Sequence, residues 1–137
     1  MIVADTGAML ALLDADDTHH WTIRRLYEAD PGAWIVPWAV LPELDYLVHR
    51  ELGEKVELAF LSDLAGGAFV VEWGDERDLV RAEALARRYK SLALGLVDAA
   101  VMAVAERLGA TDIATLDLRD FGAVEIRGAP RLLPRDL

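Results

Sequence analysis

The sequence predicts an α/β domain, a parallel sheet covered by helices on both faces. Short apolar runs recur at residues 2–4, 33–36, 68–72, 111–116 and 124–126, each too brief for a helix. Between them lie segments whose apolar residues fall at helical spacing, so strand and helix alternate along the chain. The strand segments are apolar nearly throughout rather than on alternate residues, as strands are when both faces of a sheet are buried. Ligands of such sheets bind beyond the carboxyl ends of the strands, so polar residues there carry the functional question.

The first strand, residues 2–4, ends at Asp5, and Thr6-Gly7 turns the chain into a helix over 8–13. Residues 14–18 form a polar turn, and Thr18 can cap a helix over 19–29 with Trp21, Ile23, Leu26 and Tyr27 on one side. Asp30-Pro31-Gly32 closes it. Pro37 ends the second strand, and a helix runs to Leu52 with Leu41, Leu44, Leu47 and Val48 inward. Pro42 costs little if that helix starts near Ala39, because the first amides have no intrahelical acceptor. Glu43 then falls in the opening turns. Gly53 separates this helix from another over 54–64, and the two make a protruding helical hairpin. Gly66-Gly67 leads into the third strand. A helix over 75–89 follows, with Leu79, Val80, Ala82, Ala86 and Tyr89 read as its inner face and Arg87, Arg88 and Lys90 at its end. The next helix carries Leu96, Val97, Ala100, Val101, Val104 and Leu108 on an apolar face, and Gly109 stops it. After the strands at 111–116 and 124–126, the tail from Gly128, with Pro130 and Pro134, reads as irregular.

At 137 residues the chain is expected to be one domain, 1–137, with room for a proper core. Hydrophobic residues make up 54% and charged residues 28%, which excludes a disordered composition. No apolar run reaches the roughly 18 residues of a membrane span, and the acid at Asp5 breaks any secretory leader. The absence of cysteine rules out disulfides and thiolate metal sites. A cytoplasmic protein with no membrane partner is the expectation. The net charge of −10 has the wrong sign for a general nucleic-acid binder. It is compatible with one only if acids gather at a cation site and the bases cluster elsewhere.

Several acids stand where the secondary structure does not require them. Asp5 follows the first strand, where it serves equally well as a helix cap. Glu43 suits a positive helix end. Asp98 lies in a helix opening that is apolar on nearly every side, where an unpaired carboxylate is costly. Asp117 follows the fourth strand and Asp120 stands three residues later; a turn-forming aspartate explains either one, Asp120 more easily. In a parallel sheet Asp5 and Asp117 reach one edge, where Glu43 and Asp98 also begin their helices. Converging carboxylates repel one another unless a cation lies between them. All-oxygen donors favour Mg²⁺ or Mn²⁺ over zinc. Such a site suits phosphodiester hydrolysis.

The motifs Asp5-Thr6-Gly7, Glu43 about forty residues on, Gly95-Leu96-Val97-Asp98-Ala99 opening a helix, and Thr115-Leu116-Asp117-Leu118-Arg119-Asp120-Phe121 resemble the PIN domain. The match is closest to the short VapC toxins of bacterial and archaeal toxin–antitoxin pairs, and it extends from Ile2 to about Pro134. The resemblance implies a three-layer PIN-like fold with a five-stranded parallel sheet. It implies a Mg²⁺-dependent endoribonuclease, a toxin blocked by a cognate antitoxin, with RNA as substrate. Asp5, Glu43, Asp98 and Asp117 become the acidic quartet, as catalytic carboxylates and metal ligands. Thr6 and Thr115 line the site, Asp120 is an outer acid, and Arg119 positions substrate.

Arg24-Arg25, Arg87-Arg88-Lys90 and Arg119 are the clusters available for RNA contact. His19, His20 and His49 are expected on helix surfaces without a catalytic role. Trp21, Trp34, Trp38 and Trp73, with Phe60 and Leu64, offer more apolar surface than a small core needs. Core packing is the default account of them; the sharper one is a homodimer interface or an antitoxin groove on the hairpin. The competing reading is a non-catalytic PIN-like scaffold, since acids alone do not guarantee turnover. A receiver domain needs an acidic pair after the first strand. A haloacid-dehalogenase-type phosphatase needs an aspartate where Gly7 stands.

Overall fold

A computed structural model describes all 137 residues. Five strands form a single parallel sheet: β1 (Ile2–Ala4), β2 (Trp34–Pro37), β3 (Val70–Glu72), β4 (Asp112–Ala114) and β5 (Arg131–Leu133). Their spatial order is β3-β2-β1-β4-β5. β1 pairs in register with β2 at Ile2–Trp34 and with β4 at Ile2–Asp112. Order reverses between β1 and β4, which places the crevice of the sheet just beyond Ala4 and Ala114. Seven helices surround it: α1 (Thr6–Leu13), α2 (His20–Ala29), α3 (Leu41–Leu52), α4 (Glu54–Ala65), α5 (Glu76–Arg88), α6 (Gly95–Leu108) and α7 (Leu118–Ala123). None is long and apolar enough to cross a membrane. Val3, Ala4, Trp34, Val36 and Ile113 from the sheet meet Met9, Leu44, Val48, Val101 and Met102 from the helices in one core.

The α/β parallel sheet is as expected, and three local readings are corrected. Residues 124–126 are not a strand. Val124 and Ile126 are buried, but β5 forms later, where Arg131 and Leu133 pair with Asp112 and Ala114. Pro130 and Pro134 bracket that strand instead of disrupting it. The segment after Asp117, taken as a turn, is the short helix α7. The inner face of α5 is also rotated from the expected one. Leu79 and Val80 are exposed, whereas Asp78, Ala82 and Leu85 are buried.

An ion-pair network explains that rotation. Asp75 caps α5, and the Asp78 carboxylate accepts from the Asp75 amide in return. Asp78 also binds Arg107 of α6 through Nε at 2.6 Å, and Arg107 reaches Glu72 at 2.6 Å. Residues 78, 82 and 85 therefore face α6, and residues 79 and 80 turn to solvent. The capping box and the buried charge pair outweigh two aliphatic side chains. Glycine is required at the two turns that frame these helices. Gly74 has φ +93° and passes directly over the Trp38 indole, leaving no space for a Cβ. Gly109 closes α6 at φ +62°.

Candidate metal centre and active site

Each carboxylate at the sheet edge is positioned by a specific local device. Asp5 is the N-cap of α1. Its Oδ1 accepts from the Thr6 amide at 2.8 Å, and its Oδ2 accepts from the Thr115 hydroxyl at 2.9 Å. Thr115, fully buried, thus ties the residue after β4 to the residue after β1. Its Oγ1 also accepts from the Asp117 amide at 3.1 Å. Asp117 is the N-cap of α7 and accepts from the Asp120 amide at 3.0 Å. Asp98 lies in the first turn of α6, next to the fully buried Ala99.

Asp98, Asp117 and Asp120 each offer an oxygen within 4.8 Å of the others. Asp5 lies beside them. Burial is the main reason its carboxyl is raised to about 6; the Thr6 and Thr115 hydrogen bonds oppose that, and the charges of Asp117 and Glu43 add to it. Asp98 is pushed higher, to about 8, first by burial, then by side-chain contact with Asp120, then by the charges of Asp5 and Asp117. No lysine or arginine bonds to any of the four.

Asp120 was read as a turn former or outer acid, yet the structure puts it inside the compact group. The available signal was the Asp117–Asp120 spacing, which is that of a cap and its third helical residue. Glu43 stands apart. It is exposed in the first turn of α3, within electrostatic reach of Asp5 but outside the three-carboxylate group. Thr6 is buried, and its hydroxyl has no partner. Arg119 is exposed on α7 with no ion pair. His20 is not on the surface as expected. It is 5% exposed and its Nδ1 lies 2.8 Å from the Ala11 carbonyl, so it ties α2 to α1. Trp34 and Phe60 are buried in the core, and Trp21 and Trp73 are exposed.

These donors fit a hard divalent cation. The set is entirely oxygen, two of its members hold protons more tightly than free carboxylic acids do, and Asp120 Oδ1 is buried with no hydrogen-bond partner. A cation among them removes both the repulsion and the orphaned oxygen.

The family model described as PIN domain matches residues 2–126, a span that includes every residue of this carboxylate group. The chain belongs to the PIN-domain family. Ribonuclease VapC26 of Mycobacterium tuberculosis is 34% identical over 130 residues, covering 95% of this chain and 96% of that protein, so this PIN domain is of the VapC type. Among solved structures, Mycobacterium tuberculosis VapC20, described as a Sarcin-Ricin loop cleaving toxin, superposes with TM-score 0.81 at 25% identity. The match covers 95% of this chain and 99% of VapC20. DNA-bound VapBC of Salmonella typhimurium shares the fold at TM-score 0.71 and 20% identity, covering 96% and 95% of the two chains. FitAcB of Neisseria gonorrhoeae does so at TM-score 0.65 and 15% identity, covering 96% of each.

Proposed function

We propose that this PIN domain is a Mg²⁺-dependent endoribonuclease, the toxin of a toxin–antitoxin pair, with Mn²⁺ able to substitute. The observation that carries this reading is the convergence of Asp98, Asp117 and Asp120 beside the buried Asp5. Asp5, Asp98 and Asp117 would hold the ion, with Asp120 joining them and Glu43 closing the exposed side. When bound, the cation supplies Lewis-acid polarisation of the phosphate and lowers the pKa of water.

The chain's own residues do the rest. Thr6 and Thr115 lock both oxygens of Asp5, so that carboxylate cannot rotate away. The α7 cap holds Asp117 in the same manner. Glu43, exposed and near Asp5, is the group free to orient attacking water and accept its proton. Arg119, two residues beyond Asp117 and without an ion pair, would contact an RNA phosphate.

RNA contact through the other expected clusters is weaker. Arg24 pairs with Glu28, Arg87 with Glu83 and Arg88 with Glu125. Arg25, Lys55, Lys90, Arg119 and Arg127 make no ion pair and are the cations left for a polyanion. A cognate antitoxin is the natural cover for the exposed Tyr46, Leu58 and Leu61 of the α3–α4 hairpin. A basic segment on that partner would complement a net charge of −10. Trp73, Leu79 and Val80 form the face we assign to a homodimer.

The test is cleavage of RNA by wild type and Asp98→Asn, with Mg²⁺ and with EDTA. Wild type should cut only with the metal, and the variant should be slower by about a hundredfold or more. Equal, EDTA-insensitive cutting by both proteins rejects the assignment.

A further inference from the structure

Next to the acid group is a cavity of about 240 Å³ lined by His19, Thr115, Leu116, Leu118, Pro134 and Arg135. It adjoins the acids directly: Thr115 forms one wall and donates to Asp5, while Leu116 and Leu118 flank Asp117. The opposite wall comes from the chain just beyond β5, which is joined to the Thr115 wall by the hydrogen bond from the Thr115 amide to the Leu133 carbonyl.

The lining has two chemical characters. Leu116, Leu118 and Pro134 present apolar surface suited to the face of a flat ring. Arg135 and His19 present nitrogens. Arg135 forms a surface pair with its neighbour: Asp136 accepts from its Nε at 2.7 Å and its Nη2 at 2.9 Å. Asp136 is itself anchored by the Leu132 amide at 2.7 Å. Arg135 holds the Asp136 carboxyl down at about 2, so the pair stays ionised at any working pH. This leaves Nη1 without a hydrogen bond beside Gly122, while Arg135 contributes to the cavity wall. The larger cavity between α5 and α6 differs, because its Arg81 and Arg107 are already bound to Glu106, Asp78 and Glu72.

We propose that the cavity between Leu116, Leu118, Pro134 and Arg135 is a nucleobase subsite that holds one unpaired base of the RNA next to the scissile phosphate. This rests on the ribonuclease reading and adds a specificity determinant to it. Single-stranded RNA is read by splaying a base out, packing its face on apolar or guanidinium surface and hydrogen-bonding its edge. The Arg135 guanidinium supplies a donor to a base keto oxygen, and the His19 ring supplies a second edge contact. A base bound here leaves its phosphate beside Asp5 and Asp117. The space holds one base and excludes a stacked pair.

The experiment uses a library of randomised single-stranded RNA cut with Mg²⁺ by wild type, Arg135→Gln, His19→Ala and Leu118→Ala, with sequencing of the new ends. Wild type should enrich one base at one fixed position beside the cut. Arg135→Gln should reduce that enrichment about tenfold and raise KM more than it lowers kcat. The best-cut sequence, made abasic at that nucleotide, should lose as much with wild type as the intact RNA loses with Arg135→Gln. The two losses should not add. All three altered residues border solvent or the open cavity, and unchanged thermal midpoints will show that folding is intact. The same base preference in all three variants, additive losses, or no preference at any position overturns the subsite while leaving the nuclease assignment standing. No cutting above the level of Asp98→Asn removes the ribonuclease reading and the subsite with it.

Discussion

At the scale of single residues, the decisive feature is that Asp5 and Asp98 are carboxylates placed where ionisation is costly. Their pKa values are raised to about 6 and about 8, against an ordinary carboxylate value near 4. The unfolded chain releases those protons first, so without metal stability should fall as pH rises from about 4 to 8. Mg²⁺ should reverse that fall, most strongly at pH 8. Thermal melts in EDTA and in Mg²⁺ across this range check the sign; a metal-free protein that grows more stable towards pH 8 would contradict it. Thr115→Val tests the support of Asp5. It removes a buried donor and should cost about 1–3 kcal/mol, measurable by denaturant unfolding, and slow RNA cleavage as well. Asp98 stands out in the sequence because it interrupts apolar surroundings, and Asp5 because it ends the first strand, where a helix cap explains it equally well. Asp120 does not stand out, since its place depends on a helix of six residues whose main sign is its own cap.

At the scale of elements, the ion-pair seam between α5 and α6 settles which side chains face the core. Asp78 is almost wholly buried against Arg107, so Arg107→Ala strands a carboxylate and should destabilise by about 3 kcal/mol in denaturant unfolding. Partial exposure of Arg107 keeps the expectation at the low end of the usual range. A loss below about 1 kcal/mol would show that packing of Ala82 and Leu85, not the charge pair, sets the register. Helical periodicity identified α5 and its inward Ala82 but misplaced Leu79 and Val80, because it counts aliphatic residues and cannot register a long-range partner 29 positions away. β5 was missed for a related reason. A three-residue strand beginning with Arg131 has no periodic signal, and the Arg131–Asp112 ion pair that seats it is visible only in the fold. The β1 and β4 assignments, by contrast, rested on apolar runs followed at once by acids, and both hold.

For the whole molecule, acidity and the proposed polyanionic substrate must be reconciled. Most arginines are bound to acids, and the remaining cations are Arg25, Lys55, Lys90, Arg119 and Arg127. Binding of single-stranded RNA to Asp98→Asn should therefore depend only modestly on salt, with a log–log slope no steeper than about −4. A steeper slope would mean that paired arginines release their partners on binding. Exposed Trp73, Leu79 and Val80 lie on a face that no part of the chain covers, and a partner there would add apolar burial that the monomer lacks.

The carboxylates at the crevice between β1 and β4 are proposed to form one divalent-cation site. Anomalous scattering from crystals soaked in Mn²⁺ tests it most directly. The expected result is a peak bounded by Asp5, Asp98, Asp117 and Asp120 that disappears in Asp98→Asn. A peak elsewhere, or no peak at millimolar Mn²⁺, would contradict it.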